Sequence, residues 1–245
     1  MMRKACVFAL NASFLLASGA SFGADYEARA VINALDRAIL SGEIAAKVDR
    51  LPLRPGDAFV KGDLLVALDC ALYEAQTAKV SAEVKGARIK RNNAQDLNAL
   101  HSIGALDVAL AQSEYSQSLA ELRIAKLNTE RCEIHAPWEG RVVSLLVNAH
   151  ENIRQQQALI EIVGDRQLEA EVVVPAAWIS WLTVGMPLQL QVDDVAAEVE
   201  ASVATIIPAI DTVSQTVLVR VALPVDSNLI PGMSAIARFD VPQAQ

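Results

Sequence analysis

Apolar residues recur at three- and four-residue steps over 72–131, a stretch without proline and rich in helix-forming residues. This pattern predicts two helical arms, 75–100 and 106–127, separated by a short turn. Gly104 is expected to take the left-handed conformation that ends a helix, and Asp107 suits the first turn of the second arm. Together the arms predict a helical hairpin about 40 Å long.

Small side chains dominate the predicted seam between the two arms. The seam positions are Ala75, Ala78, Ala82 and Ile89 on the first arm, and Tyr115, Leu119 and Leu122 on the second. Small residues let two helices approach closely, as in antiparallel coiled coils. The alternative is two ordinary helices packed on a globular core, but such helices usually carry a wider stripe of large apolar residues.

Short β-type runs flank the hairpin, 71–131, on both sides. The segments 38–69 and 133–163 each combine turn signals with β-branched strands, and neither is long enough to bury a core alone. Together they predict one split β-domain that carries the hairpin as an insertion. From 165 to 240 short strands recur roughly every 8–12 residues, which is typical of a small β-barrel. Residues 25–37 show little pattern and predict a tail or a short strand.

The first 20 residues have the features of a secretion signal. Arg3 and Lys4 precede a short apolar run, 5–17, and small residues lie before a predicted cleavage site after Ala20. The apolar run is short for a membrane span, and an uncleaved anchor is the alternative. We therefore expect the mature chain to be exported.

Two cysteines bracket the predicted hairpin. Cys70 precedes the first arm and Cys132 follows the second, so both are expected at the base of the hairpin. Export to an oxidising compartment permits a disulfide between them. Two free, buried thiols are the alternative.

Charge and motifs argue against several classes of function. The formal net charge is −8, which disfavours nucleic acid as a partner and binding by charge to an anionic membrane. The three histidines are scattered, and neither a nucleophile elbow nor a phosphate-binding glycine loop is present. We expect no catalytic activity, no metal site and no cofactor.

Several motifs carry a family resemblance. Residues 56–65 (G-D, then K-G-D-L-L) and 136–142 (A-P-W-E-G-R-V) resemble the split lipoyl-like domain of periplasmic adaptor subunits of bacterial efflux pumps, the membrane fusion proteins of the HlyD-like family. Residues 210–217 and 229–233 resemble two recurring signatures of the adaptor barrel. The resemblance implies a mostly β protein with a split lipoyl-like domain, an inserted antiparallel coiled-coil hairpin and a small β-barrel.

The resemblance also implies a function. Such a chain is a non-catalytic periplasmic adaptor that links an inner-membrane transporter to an outer-membrane channel for export of small molecules. An RND transporter is favoured over an ATP-driven (ABC) exporter, and the adaptors are expected to pack into a ring. The chain ends, 21–37 and 240–245, are too short for the membrane-proximal domain that such adaptors often carry. The alternative function is an exported solute-binding protein with a ligand site between the barrel and the lipoyl-like domain.

Apolar and small residues gather at the predicted hairpin tip. They are Leu97, Leu100, Ile103, Gly104, Ala105 and Leu106. Exposed apolar groups at the end of a polar rod indicate a docking surface, and in the resembling family the tip meets the outer-membrane channel. That family often has an Arg one turn before the tip, where this chain has Asp96, with Arg91 further back. The alternative is that these apolar residues only close the hairpin.

Overall fold

The computed structural model describes residues 26–225 and 228–240, so the predicted secretion signal, 1–20, lies outside it. The strands that precede the helices are β1 (Tyr26–Ala34), β2 (Arg37–Ser41), β3 (Ala46–Arg50), β4 (Ala58–Phe59) and β5 (Leu64–Leu68). The helices are α1 (Ala71–Ala99), α2 (Ala105–Glu130) and a short 3₁₀ helix (Ala176–Ser180). The later strands are β6 (Glu133–His135), β7 (Gly140–Leu145), β8 (Asn152–Ile153), β9 (Ala158–Val163), β10 (Leu168–Pro175), β11 (Pro187–Val192), β12 (Ala197–Asp211), β13 (Thr216–Ala222) and β14 (Ser234–Phe239).

Six antiparallel strands form a closed barrel in the order β1-β10-β13-β12-β11-β14. Every second residue of β10 and β13 is buried, which is the pattern of a strand with one face on a core. The interior is filled by aliphatic side chains such as those of Val172, Leu190 and Val219. Closure pairs each strand on both sides, so no edge is left open for other chains.

Strand β1 belongs to this barrel, although the sequence predicts only a tail or short strand at 25–37 and a barrel confined to 165–240. The strand is nine residues long and pairs with β10 on one side and β14 on the other. Its inward side chains are Ala28, Ala30 and Ile32. Two alanines give a weak hydrophobic pattern, and both partner strands lie far along the chain, so sequence periodicity misses the strand.

The remaining strands form a two-sheet unit, with sheets ordered β2-β9-β7-β4 and β6-β5-β3-β8. Each sheet contains strands from both sides of the hairpin: Ala38 is paired with Ile162, and Leu64 with His135. Leu65 and other fully buried aliphatic side chains fill the space between the sheets. The segments before and after the hairpin therefore fold against each other.

Helices α1 and α2 are antiparallel and pack along their length. The hydroxyl oxygens of Thr77 and Thr129 lie 2.9 Å apart near the base, and the Lys90 Nζ lies 2.7 Å from a Glu114 carboxylate oxygen further out. Few helix positions are buried, so the helices contact each other more than any globular core. The coarse prediction of a mostly β chain with a barrel and two helices is confirmed. Within the described residues, no helix is long and apolar enough to cross a membrane.

The seam between the helices differs from the predicted one. The buried residues of α1 are Val80, Ala87 and Ala94, at seven-residue spacing. The prediction of Ala75, Ala78, Ala82 and Ile89 as seam residues is wrong, since all four are exposed. On α2, Tyr115 and Leu122 are half-buried in the seam, whereas Leu119 is exposed. Helix α1 carries two parallel stripes of small residues. The true seam also contains polar residues such as Thr77, which hide its hydrophobic pattern in the sequence.

Candidate functional site at the hairpin tip

A tight turn joins α1 to α2. The Leu100 N–H donates to the Asp96 carbonyl oxygen at 3.2 Å, and the Ser102 N–H donates to the Leu97 carbonyl oxygen at 2.9 Å. His101, with φ 56°, takes the left-handed conformation that ends α1. Histidine tolerates this conformation better than most side chains do.

Gly104 has a different role from the predicted one. Its φ of −83° and ψ of 161° are extended, so the prediction of a left-handed residue at this position is wrong. The residue caps the N-terminus of α2, where the Gly104 N–H donates to Asp107 Oδ2 at 3.1 Å. The prediction that Asp107 suits the first turn of α2 is confirmed. An acidic side chain there also interacts favourably with the helix dipole.

The predicted tip residues divide into two groups. Leu97 and Ile103 are half-buried, and the Asn98 side-chain amide donates to the Ile103 carbonyl oxygen at 2.9 Å. Leu100 and Leu106 are 73% and 71% exposed. The first pair is placed to close the hairpin, while the second pair presents apolar surface to solvent, as do Gly104 and Ala105 between them.

The exposed apolar surface continues one turn along α2. Leu110 follows Leu106 by four residues, lies on the same face of the helix, and is exposed as well. The tip residues predicted from the sequence do not include Leu110, although its four-residue spacing from Leu106 indicates a shared helix face. Leu100, Leu106 and Leu110 therefore form the apolar surface of the tip, a name we keep for these three residues below.

Arg91 on α1 is engaged within the hairpin. The Arg91 guanidinium lies 4.5 Å from the centre of the Tyr115 ring and donates to Asn92 Oδ1 at 2.6 Å. A stacked guanidinium of this kind gains from the ring quadrupole. Arg91 therefore contributes to the packing of the two helices.

The base of the hairpin is tied to the two-sheet unit by several contacts. Cys70 and Cys132 lie at bonding distance, with Sγ atoms 1.99 Å apart and Cα atoms 5.8 Å apart. The Tyr73 hydroxyl donates to the Ala45 carbonyl oxygen at 3.0 Å, and Arg131 Nε lies 2.7 Å from a Glu43 carboxylate oxygen. The Tyr73 and Arg131 contacts join the ends of both helices to the loop between β2 and β3, so they resist rotation of the hairpin about its base.

Other polar residues are arranged for structure. The His135 Nδ1 lies 3.0 Å from the Gly62 carbonyl oxygen, where it joins β6 to the turn that precedes β5. In the part of the chain that the structure describes, no group of three or more His, Cys, Asp or Glu side chains is placed to hold a metal ion. The described geometry thus offers a binding surface at the tip as its clearest functional feature.

Known proteins resemble this chain in the sequence of its barrel and in its fold. Residues 168–243 match the family model of the CusB-like β-barrel domain. The nickel-cobalt-cadmium resistance protein NccB of Alcaligenes xylosoxydans xylosoxydans is 23% identical over 203 residues, which cover 78% of this chain and 51% of that protein. The chain spans about half the length of the curated relatives it matches.

Solved structures share the fold. A MacA–MexA chimeric protein with the Pseudomonas aeruginosa MexA α-hairpin domain superposes with a TM-score of 0.80 at 20% identity, covering 90% of this chain and 83% of that one. The membrane fusion protein Spr0693 of Streptococcus pneumoniae superposes with a TM-score of 0.72 at 15% identity, covering 89% of this chain and 99% of that one. At these identities the likeness shows a common fold.

Proposed function

We propose that this chain links an inner-membrane transporter to an outer-membrane channel. Its resemblance to the periplasmic adaptor subunits called membrane fusion proteins is confirmed by its barrel and its fold. Its work is mechanical: it binds both partners and lines the path for exported small molecules. The observation that carries the proposal is a long helical hairpin that ends in the exposed apolar surface of Leu100, Leu106 and Leu110.

The hairpin is long enough to connect two partners that lie apart. With 29 residues in α1 and a rise of about 1.5 Å per residue, the rod is roughly 40 Å long. Its end exposes leucine side chains beside the small residues Gly104 and Ala105. Apolar side chains next to small ones allow helix ends of a partner to approach closely, which supports docking by helix packing at the channel.

A single charge at the tip is expected to abolish docking. We expect Leu100→Asp to reduce co-purification of the outer-membrane channel at least about tenfold, because the contact would bury an unpaired carboxylate. Leu100 is exposed and follows the end of α1, so the fold should be retained. The matched control is Leu72→Asp, an equally exposed leucine at the base of the same helix. Equal channel recovery for both variants would reject the tip as the docking site.

Self-association into a ring is supported by the outer edges of the hairpin. Helix α1 has an exposed small edge, consisting of Ala75, Ala82 and Gly86. Helix α2 has an exposed large edge, consisting of Ile124 and Leu127. At about 100° per residue, Ala82 lies about 200° from Val80 of the seam and Leu127 about 200° from Ala125, so these side chains point away from the partner helix. Large side chains of one copy can pack into the small edge of the next, and such a heterologous contact closes into a ring when its rotation permits.

Disrupting the large edge is expected to weaken this association. We expect Ile124→Glu to shift the protein towards monomer in sedimentation velocity at matched concentrations, since the glutamate would be buried against the small edge of a neighbour. Gln112→Glu is the control: it adds the same charge to an exposed position of α2 outside the large edge. An unchanged size distribution for Ile124→Glu would remove the hairpin edges from the proposed ring.

The remaining assignments follow the family. We assign residues 38–69 and 133–163 to a split lipoyl-like domain and the hairpin to a coiled coil. We further propose an RND transporter, and not an ATP-driven exporter, as the engine. Export by a signal peptide cleaved after Ala20 would deliver the chain to the periplasm. NccB is a nickel-cobalt-cadmium resistance protein. We assign no substrate to the pump proposed here.

A further inference from the structure

One end of the barrel is closed by aromatic side chains. The rings of Trp178 and Trp181 each lie 5.0–6.1 Å from those of Tyr26 and Phe239, in edge-to-face contacts. Trp178 lies on the 3₁₀ helix that follows β10, and Trp181 directly follows that helix. We call this region, residues 175–187 together with the β12–β13 turn at 211–215, the aromatic end of the barrel.

The segments that form this end have very few charges of their own, while Asp240 and the Glu27–Arg238 ion pair lie beside the strand ends at Tyr26 and Phe239. Residues 175–192 contain no Asp, Glu, Lys or Arg, and residues 201–219 contain only Asp211. Asp211 is used within its own turn, where its Oδ1 accepts the N–H groups of Ser214 at 2.8 Å and Val213 at 2.9 Å. These hydrogen bonds, chiefly those from Ser214, hold the pKa of Asp211 below its usual range. Its carboxylate therefore shapes the turn.

Aliphatic side chains project from this end. Val213, at the tip of the β12–β13 turn, is 94% exposed, and Ile179 and Val184 are exposed as well. The turn is held rigidly: the Ala176 N–H donates to the Gln215 carbonyl oxygen at 2.9 Å, and the Gln215 N–H donates to the Asp211 carbonyl oxygen at 2.8 Å. The 3₁₀ helix and the turn are thereby joined into one platform. Several exposed apolar side chains on one platform, unlike a single one, mark an interaction surface.

We propose that the aromatic end rests on the interfacial layer of a lipid bilayer. Tryptophan and tyrosine bodies flanked by exposed aliphatics are the composition that partitions to this layer. Few charges at this end also lower the cost of entering the interfacial layer, where an unpaired charge would lose hydration. Because the chain is acidic, attraction to anionic lipid cannot supply the affinity.

The path of the chain supports the same occupant. Tyr26 pairs with Phe239 at this end, so the chain enters the barrel here. Five residues, 21–25, separate Tyr26 from the predicted cleavage site after Ala20. Even fully extended, five residues span at most about 18 Å. While the apolar signal run is in the membrane, the aromatic end is therefore within reach of the bilayer surface. The inference rests on the proposed export of the chain, and not on docking at the hairpin tip.

Vesicle binding by the purified mature protein tests the proposal. The chain has three tryptophans, and Trp138→Phe leaves only those of the aromatic end as fluorophores. With phosphatidylcholine vesicles we expect a blue shift, quenching by brominated lipid and co-sedimentation, all insensitive to salt. Ile179→Asp with Val213→Asp should reduce the bound fraction about tenfold. Ile39→Asp with Val60→Asp, on exposed aliphatics of the two-sheet unit, should leave it unchanged.

Three results would overturn the proposal. The first is no binding to phosphatidylcholine by the unaltered protein. The second is equal binding by the two double variants. The third is binding that requires phosphatidylglycerol and disappears in salt, which would indicate attraction by charge. If the unaltered protein does not bind vesicles, and the Ile179→Asp, Val213→Asp variant no longer co-purifies with the transporter, the aromatic end contacts protein. A variant that loses vesicle binding but still recovers the channel would separate this proposal from the function assigned to the tip.

Discussion

Replacing both Cys70 and Cys132 with serine is expected to lower the free energy of unfolding by about 4 kcal/mol. The two cysteines are 62 residues apart, and a cross-link over a loop of this length restricts the unfolded chain by roughly that amount. The loss should appear as a lower midpoint in urea denaturation of the mature protein. The folded hairpin should keep its helix content, because α1 and α2 retain their seam. Tyr73 and Arg131 still tie the base to the two-sheet unit.

Reductant supplies the matched control for this prediction. It should lower the midpoint of the unaltered protein to that of the double serine variant, and it should leave the variant unchanged. Non-reducing mass spectrometry gives the state of the two thiols directly. Two free thiols in the exported protein, or a midpoint that does not respond to reductant, would contradict a disulfide at the hairpin base.

Gly140→Ala is expected to cost about 3 kcal/mol or more. Gly140 starts β7, and an added Cβ would lie 2.9 Å from the Val163 carbonyl carbon and closer still to its oxygen. Because the obstacle is backbone, strands β7 and β9 would have to separate. Trp138 packs against the core of the same unit, so its fluorescence reports the unfolding.

Gly86→Ala is the control for that substitution. Gly86 lies within α1, and a Cβ there would meet no atom within 4 Å. Alanine favours helix over glycine by about 1 kcal/mol, so this variant should gain stability. Equal effects of the two substitutions would contradict the close approach of β7 to β9 at Gly140.

Much of the fold can be predicted from local chemistry. The helical arms predicted at 75–100 and 106–127 correspond to α1 at Ala71–Ala99 and α2 at Ala105–Glu130. Helix-forming composition and a break after Leu100 are enough for that result. The barrel is also readable from its short alternating strands. Gly140 is the glycine of the resembling motif A-P-W-E-G-R-V. The steric need for glycine at this position becomes visible only when β9 is placed beside it.

The errors come from features that depend on distant partners. Strand β1 packs alanines into a barrel built mostly from the other end of the chain. The seam of α1 passes through Thr77 and Arg91, whose polarity hides it, while the alanine stripe faces solvent. At the tip, His101 takes the left-handed conformation where Gly104 was the natural candidate. Periodicity finds helices, but the face that is buried is decided by the neighbour.

The tip residues show the same division. The sequence predicts six apolar or small residues around the turn, but it does not separate those that close the hairpin from those that are free to bind. Half-burial of Leu97 and Ile103 and exposure of Leu100 and Leu106 make that separation. Which protein meets the exposed pair depends on a partner surface, and that information is absent from a single chain.

Photo-crosslinking in cells tests the central claim most directly. A photoreactive residue at position 100 would report what the tip touches, and one at position 143, exposed on β7, would serve as the control. If the chain is an adaptor that docks through its hairpin, position 100 should crosslink to an outer-membrane channel protein and position 143 should not. Crosslinks from position 100 to this chain's own strands, or channel crosslinks from position 143 alone, would contradict it.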